Sequence, residues 1–141
     1  MLAQAGLSRL GLADRITYII PQQIMLPAVG EGALGLETRA DDSTTQEILQ
    51  PLNDAATLAA VTTERTLLQA LRAGCLAPVG AWARMEDQQL RLEAVVLHPD
   101  GTARLAAEGS AAAINAAALG QQVADELLSK GAAELIAAAR G

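Results

Sequence analysis

The stretch that decides the fold runs from residue 79 to residue 109 and reads VGAWARMEDQQLRLEAVVLHPDGTARLAAEG. Its hydrophobic residues recur at every second position, most clearly from Leu90 to Val96, and this is the period of a half-buried β-strand. Residues 87–88 and 99–101 have the composition of turns. The pattern predicts three strands that follow one another as an antiparallel meander, at 79–86, 89–98 and 102–109.

Helical patterns lie on both sides of this predicted sheet. Upstream, helices are predicted over about 44–50 and 55–72, each preceded by residues that can cap a helix, and the second carries a buried apolar stripe. Downstream, residues 112–139 are predicted to be helical with a break at 130–131. The sequence therefore predicts an α+β domain over residues 42–141, in which a three-stranded antiparallel sheet packs with about three helices.

Residues 1–41 have too few elements to bury their own apolar side chains. Their pattern predicts a short helix over 2–10, a strand over 16–20 and another strand over 34–39. They are interpreted as remnants of adjoining domains in front of the C-terminal domain. Two outcomes stay open for them, either disorder or pairing between chains through an unsatisfied strand edge.

Composition argues against several classes of function. The 141 residues carry a formal net charge of -6 and only 1% aromatic residues, so no basic surface with stacking rings is expected and nucleic-acid binding is not predicted. No run of roughly 18 apolar residues predicts a transmembrane helix, and the first residues do not have the pattern of a signal peptide. A single cysteine cannot form an internal disulfide, and these features together predict a cytoplasmic protein.

A glycine-rich run at Gly30, Gly32 and Gly35 matches the G-x-G-x-x-G pattern. In a dinucleotide-binding site that pattern follows a strand and begins a helix, whose N-terminus meets the pyrophosphate. Here Pro27 interrupts the preceding apolar stretch, and the residues that follow have a strand pattern. A crossover between domains is the favoured interpretation, and nucleotide binding is the alternative.

The other polar residues do not form a complete catalytic or metal-binding arrangement. The single histidine, His98, lies at a predicted turn, and no cluster of Cys and His suggests a metal site. Asp41 and Asp42 could act as a carboxylate pair, although helix capping explains at least one of them. Arg9 and Arg15 are candidates for binding carboxylates through their guanidinium groups, with a surface charge as the alternative for each.

Cys75 lies in the segment RAGCLAPVG, residues 72–80, between a predicted helix end and a predicted strand. A lone cysteine is more often a small buried hydrophobic residue than a nucleophile. A loop between two rigid elements is nevertheless a common place for a functional residue, and Gly74 leaves room for a bulky group on the neighbouring sulfur. On the residues alone, both interpretations stay open.

Several motifs occur together in a fixed order. They are LPAVGEGALGLE at 26–37, Arg39 with Asp41-Asp42, Leu52-Asn53, VTTER at 61–65, GCLAPVG at 74–80 and Pro99-Asp100-Gly101. In order and spacing they resemble the porphobilinogen deaminase family over essentially the whole chain. The chain departs from the family at Glu31, where Gln is common, and at Leu76, where Gln often follows the cysteine.

The resemblance implies a transferase, hydroxymethylbilane synthase, which joins four porphobilinogen units with loss of ammonia in tetrapyrrole and heme biosynthesis. It implies three domains, with 1–41 a remnant of the second domain plus a crossover strand of the first, and 42–141 the cofactor-carrying third domain. Cys75 matches the cysteine that anchors a dipyrromethane cofactor through a thioether. Arg9 matches an arginine that binds the acetate and propionate groups of the pyrroles.

The same resemblance places the catalytic carboxylate in earlier sequence, so no catalytic residue is expected in this piece, which is predicted to be inactive alone. The implied partners are porphobilinogen, the growing pyrrole chain and the missing N-terminal domains, with the full enzyme a monomer and self-association open for the piece. The chemistry agrees, because soft sulfur traps an electrophilic azafulvene and a carboxylate-rich product needs arginines. A non-catalytic α+β binding module, with Cys75 buried and unreactive, is the alternative.

Overall fold

The computed structural model describes residues 2–74 and 76–139. The α-helices are α1 Gln4–Arg9, α2 Ser43–Leu49, α3 Ala55–Ala70, α4 Ala116–Ser129 and α5 Ala132–Ala138. The strands are β1 Val79–Glu86, β2 Gln89–Leu97 and β3 Arg104–Ala111. Short 3₁₀ turns cover Ala13–Arg15, Gln50–Leu52 and Ala113–Asn115. The predicted α+β class is confirmed.

The three strands form one antiparallel sheet in the order β1-β2-β3, as predicted. Asp87 and Gln88 join β1 to β2 with φ values of 49° and 65°, which is the conformation of a tight hairpin turn whose twist matches that of the strands. β3 begins two residues later than predicted. The reason is that Asp100 accepts hydrogen bonds from the amide and the hydroxyl of Thr102, at 2.9 and 2.6 Å, which keep this segment in the turn.

The core lies between one face of the sheet and helices α3, α4 and α5. Its centre consists of side chains that are at most 1% exposed: Leu67, Ala81, Leu90, Leu92, Ala94, Val96, Leu119, Val123, Ala124, Leu127 and Ala132. Trp82 lies on the opposite face of the sheet, where the Arg84 guanidinium stacks 3.7 Å from the ring centre. The core is therefore filled by aliphatic side chains in place of aromatic ones, and its many alanines allow close packing.

Helices α3 and α4 approach each other closely at Gly120. A β carbon placed there would lie 2.4 Å from the carbonyl oxygen of Thr63 and 2.9 Å from Cβ of Thr66. The buried Thr63 hydroxyl bonds to the carbonyl oxygen of Ala116 at 3.0 Å, across the same contact. Glycine is thus required at position 120 by space, even though it is a poor helix former.

The break predicted at residues 130–131 is confirmed, since Gly131 has a φ of 97° and separates α4 from α5.

Lys130 lies at the end of α4, directly before Gly131. Its Nζ donates to the carbonyl oxygen of Ala106 at 2.7 Å and contacts Glu126 at 2.6 Å. Ala106 belongs to β3, which is an edge strand. The lysine at the end of α4 therefore covers one backbone carbonyl of this edge, and covering an edge disfavours pairing with another chain.

The two strands predicted in the N-terminal region are wrong. Residues 2–41 are all described, and none of them lies in a strand. Ile19, Leu34 and Leu36 are exposed by 54%, 95% and 62%. A strand needs a neighbour to exchange backbone hydrogen bonds with, and neither 16–20 nor 34–39 has one within the described part of this chain. The predicted helix at the start of the chain is confirmed as the shorter α1.

No helix in the described ranges has both the length and the apolar character needed to cross a membrane.

Candidate functional site

The loop that contains position 75 connects α3 to β1. Cys75 itself lies outside the described residues, whereas the residues on both sides of it are described. Helix α3 ends in a tight turn in which Arg72 has a φ of 50°. The amide of Arg72 donates to Gln69 at 2.9 Å, and the amide of Ala73 donates to Leu68 at 3.1 Å. This pair of bonds is a Schellman motif, which fixes the direction in which the chain leaves the helix.

A second turn follows immediately, since the amide of Ala77 donates to the carbonyl oxygen of Gly74 at 3.0 Å. The Leu76 side chain is 94% exposed, and a β carbon built at Gly74 would meet no atom within 4 Å. The described residues next to position 75 are therefore open to solvent. They are held between a helix end and a strand start, which is the placement that the sequence predicted for this segment.

Arg9 is the last residue of α1 and is exposed. Arg15 lies in the following 3₁₀ turn and lines a cleft of about 1160 Å³ between the N-terminal segment and α3 with β1. Tyr18 and Trp82 also line this cleft. Arg9 is not among the described residues that line it. Of the two arginines considered as carboxylate ligands, Arg15 thus lines this cleft and Arg9 does not.

The glycine-rich run forms turns. Gly30 and Gly32 have φ values of 73° and 86°, and the Glu31 carboxylate accepts a hydrogen bond from the amide of Ala28 at 3.1 Å. Residues 24–41 are all described and contain neither the preceding strand nor the following helix that a dinucleotide fingerprint requires. The structural context of a dinucleotide-binding site is therefore missing from this segment, and the strand predicted after the glycines is not formed.

The carboxylates considered for acid–base chemistry have structural partners. Asp42 caps α2 by accepting from the amide of Thr45 at 3.1 Å, as predicted. Asp41 lies 3.9 Å from Arg39 in an ion pair that is almost fully exposed. No group of three His, Cys, Asp or Glu side chains in residues 2–74 and 76–139 is placed to hold a metal ion.

Glu64 is a buried carboxylate that sequence reasoning did not single out. Only 7% of it is exposed, and its Oε1 and Oε2 accept from the amides of Ala83 and Gly30 at 2.8 and 2.7 Å. Burial raises the pKa of the Glu64 carboxyl, and the bonds from Ala83 and Gly30 oppose this only in part. A signal was available, since Glu64, Leu67 and Leu71 share one face of α3 at spacings of three and seven.

The pH dependence of stability tests this description of Glu64. Because its pKa is higher in the folded than in the unfolded chain, its contribution to folding is full below the unfolded pKa and is lost as pH rises through the folded pKa. Gln at this position does not titrate. We therefore expect the stability difference between wild type and Glu64→Gln to shift in favour of wild type as pH falls from about 7 to about 4. Urea unfolding of both proteins measures it.

The stability of wild type alone would not isolate Glu64, because other carboxyl groups change stability with pH in the opposite direction. The stability difference between wild type and Glu64→Gln removes their contribution. Hydrogen bonds from Thr45, Thr57 and Thr102 lower the pKa values of their respective capping or turn aspartates, which are Asp42, Asp54 and Asp100. Their contributions are present above the unfolded pKa and are lost as pH falls through the folded pKa. Both proteins share these groups, so they cancel. A difference that stays constant, or moves towards the variant in acid, would contradict burial as the dominant influence on Glu64.

Comparison with known proteins matches both parts of the chain to one family. Residues 58–129 match the family model described as "Porphobilinogen deaminase, C-terminal domain". Residues 1–47 match the model described as "Porphobilinogen deaminase, dipyromethane cofactor binding domain". A curated porphobilinogen deaminase from Desulforudis audaxviator (strain MP104C) is 51% identical over 140 residues, which are 99% of this chain and 45% of that protein. The chain, which thus spans just under half the length of this relative, belongs to the porphobilinogen deaminase family.

Proposed function

We propose that this chain supplies the C-terminal part of a hydroxymethylbilane synthase, the cytoplasmic transferase that joins four porphobilinogen units with loss of ammonia. Family membership over nearly the whole chain carries this proposal. The loop between α3 and β1 supports it, because the described neighbours of position 75 are exposed and the turns on both sides are closed by backbone hydrogen bonds. The described neighbours leave open space beside position 75, since Leu76 is 94% exposed and a β carbon at Gly74 would meet no atom within 4 Å.

We further propose that residues 42–141 form the domain that carries the dipyrromethane, and that 1–41 belong to adjoining domains. Two observations support a boundary in this region of the chain. The buried core draws its residues from α3 onwards, and the two family matches separate between residues 47 and 58, which is later than residue 42. Cys75 lies in the C-terminal match, whereas the model named for cofactor binding covers 1–47. Both matches are consistent with one cofactor that is attached to Cys75 in the C-terminal part and contacted by residues of the N-terminal part.

In this proposal each assigned residue has one chemical role. The Cys75 sulfur is a soft nucleophile that forms a stable thioether, and the dipyrromethane, when bound, primes the growing pyrrole chain. Arg9 donates hydrogen bonds to pyrrole carboxylates, for which the guanidinium fork is suited. Its exposed position at the end of α1 leaves it free to meet a ligand brought by the other domains. The general acid that assists the departure of ammonia would come from outside these 141 residues.

A chimera tests the function. The matching 140 residues of the Desulforudis enzyme are replaced by this chain, which is feasible because the two are 51% identical. We expect the chimera to form hydroxymethylbilane and to carry the added mass of two linked pyrroles, whereas its Cys75→Ala variant should carry no added mass and show no sustained turnover. Enzymatic assay and intact-protein mass spectrometry measure both. The 141-residue chain incubated alone with porphobilinogen is expected to keep its bare mass, a free thiol and no turnover.

The controls separate attachment from folding and from substrate binding. A Leu76→Ala chimera changes a neighbour that is 94% exposed and should keep both cofactor and activity. Arg9→Ala should keep the cofactor mass but raise KM about tenfold or more, as expected for losing a charged hydrogen bond, whereas Arg104→Ala, at the start of β3, should not. Sustained turnover by the Cys75→Ala chimera would refute the assignment of the attachment site.

A further inference from the structure

Among the described residues β1 is an edge strand that pairs with β2 alone, so its outward-facing amides need acceptors from outside the sheet. Two of them have acceptors that are distant in sequence. The amide of Ala81 donates to the carbonyl oxygen of Pro27 at 3.0 Å, and the amide of Ala83 donates to Oε1 of Glu64 at 2.8 Å. The free edge of β1 is thus covered by an irregular segment at one position and by a carboxylate two residues further on.

The irregular segment that contains Pro27 also contacts the Glu64 carboxylate. Three residues after Pro27, the amide of Gly30 donates to Oε2 of Glu64 at 2.7 Å. The segment also lies directly against the strand, since a β carbon at Gly80 would be 3.0 Å from Cβ of Leu26. Residues 26–30 therefore occupy the place of a fourth strand at this edge, fastened by one backbone hydrogen bond and by the Glu64 carboxylate.

A glutamate at this position offers two acceptor oxygens on one side chain, which neither an apolar side chain nor a glutamine amide can offer. Burial of a charge is costly unless the charge is hydrogen-bonded, and here both oxygens accept from backbone amides, 34 and 19 residues away in sequence. Loss of either amide would leave a buried charged oxygen without that partner. The two contacts therefore stabilise each other, and opening of the segment disrupts the edge of the strand.

We propose that Glu64 is a latch that fastens residues 26–31 to the edge of β1, so that this segment and the strand edge open together as one unit. The latch joins the part of the chain matched by the first family model to the part matched by the second. It thereby sets how the connecting segment leaves the C-terminal domain. The latch does not depend on the function proposed above, and its test uses no substrate.

Amide hydrogen exchange followed by NMR tests the latch on the whole chain. Glu64→Gln leaves only one acceptor oxygen for two amides. We expect it to increase exchange at Gly30, Ala81 and Ala83 about 10- to 100-fold, as for a lost charged hydrogen bond that opens a local unit. Exchange at Leu92 and Ala94, in the centre of the sheet, should change less than about threefold. The matched control is Glu47→Gln, which alters an exposed glutamate of α2 and should leave all five amides unchanged.

Two results would overturn the proposal. One is an equal increase at the sheet centre and at the edge, which would make Glu64 a contributor to global stability only. The other is an unchanged rate at Gly30. Wild type provides an independent measurement should the variant not fold. In wild type, the protection factors of Gly30 and Ala83 should agree within about threefold, and both should exceed that of Leu34, which lies in an exposed segment, at least about tenfold. An unprotected Gly30 would rule the latch out.

Discussion

Replacement of Gly120 by alanine is expected to lower the free energy of unfolding by about 3 kcal/mol, at the upper end of the usual effect of overpacking. The added β carbon would lie 2.4 Å from the carbonyl oxygen of Thr63 and 2.9 Å from Cβ of Thr66. Neither atom is the far end of a flexible side chain, so α3 and α4 must move apart. This movement would also lengthen the 3.0 Å bond between the Thr63 hydroxyl and the carbonyl of Ala116. Urea unfolding measures the loss.

The matched control is Gly6→Ala, which makes the same substitution in α1. A β carbon at Gly6 would meet no atom within 4 Å, so only the preference of alanine for helices applies, and it favours the variant by up to about 1 kcal/mol. The same preference opposes the clash at Gly120 but is too small to cancel it. A loss below about 1 kcal/mol in Gly120→Ala would show that the two helices are not held at this separation.

The parts of the fold that could be predicted from sequence are those specified by neighbouring residues. The meander follows from alternation within 79–109 and from turn residues such as Asp87 and Gln88, whose positive φ values close the hairpin. The strands predicted at 16–20 and 34–39 failed because strand propensity is only half of the requirement. The other half is a partner with free backbone groups, and that depends on residues far away in the sequence.

The same distinction between local and distant residues applies to the candidate site. The segment around position 75 could be placed on a loop because the helix end before it and the strand after it both have local signals. Glu64 could not be assigned a role, because its two partners, Gly30 and Ala83, lie 34 and 19 residues away. The need for glycine at position 120 is likewise visible only once α3 and α4 are packed. Roles of single residues that arise from packing were therefore missed, while the family was identified from motifs.

Leu92→Ala is expected to lower the free energy of unfolding by about 4 kcal/mol, in the upper part of the range for leucine-to-alanine changes in cores. Leu92 is 0% exposed, and its partners across the sheet are Ala83 in β1 and Gly109 in β3. Gly109 has no side chain and Ala83 has only a methyl group, so neither can fill the space that the leucine leaves. A cavity that cannot collapse retains its full energetic cost.

Leu97→Ala is the matched control, since it removes the same atoms from the same strand at a position that is 41% exposed. Its expected cost is about 1 kcal/mol, because less apolar surface is returned to water and no closed cavity remains. The comparison of the two losses in unfolding free energy, for Leu92→Ala and for Leu97→Ala, is more informative than either value alone. Similar losses at both positions would mean that the helices settle onto the sheet when Leu92 is removed, so that the small residues beside it provide adaptable rather than rigid packing.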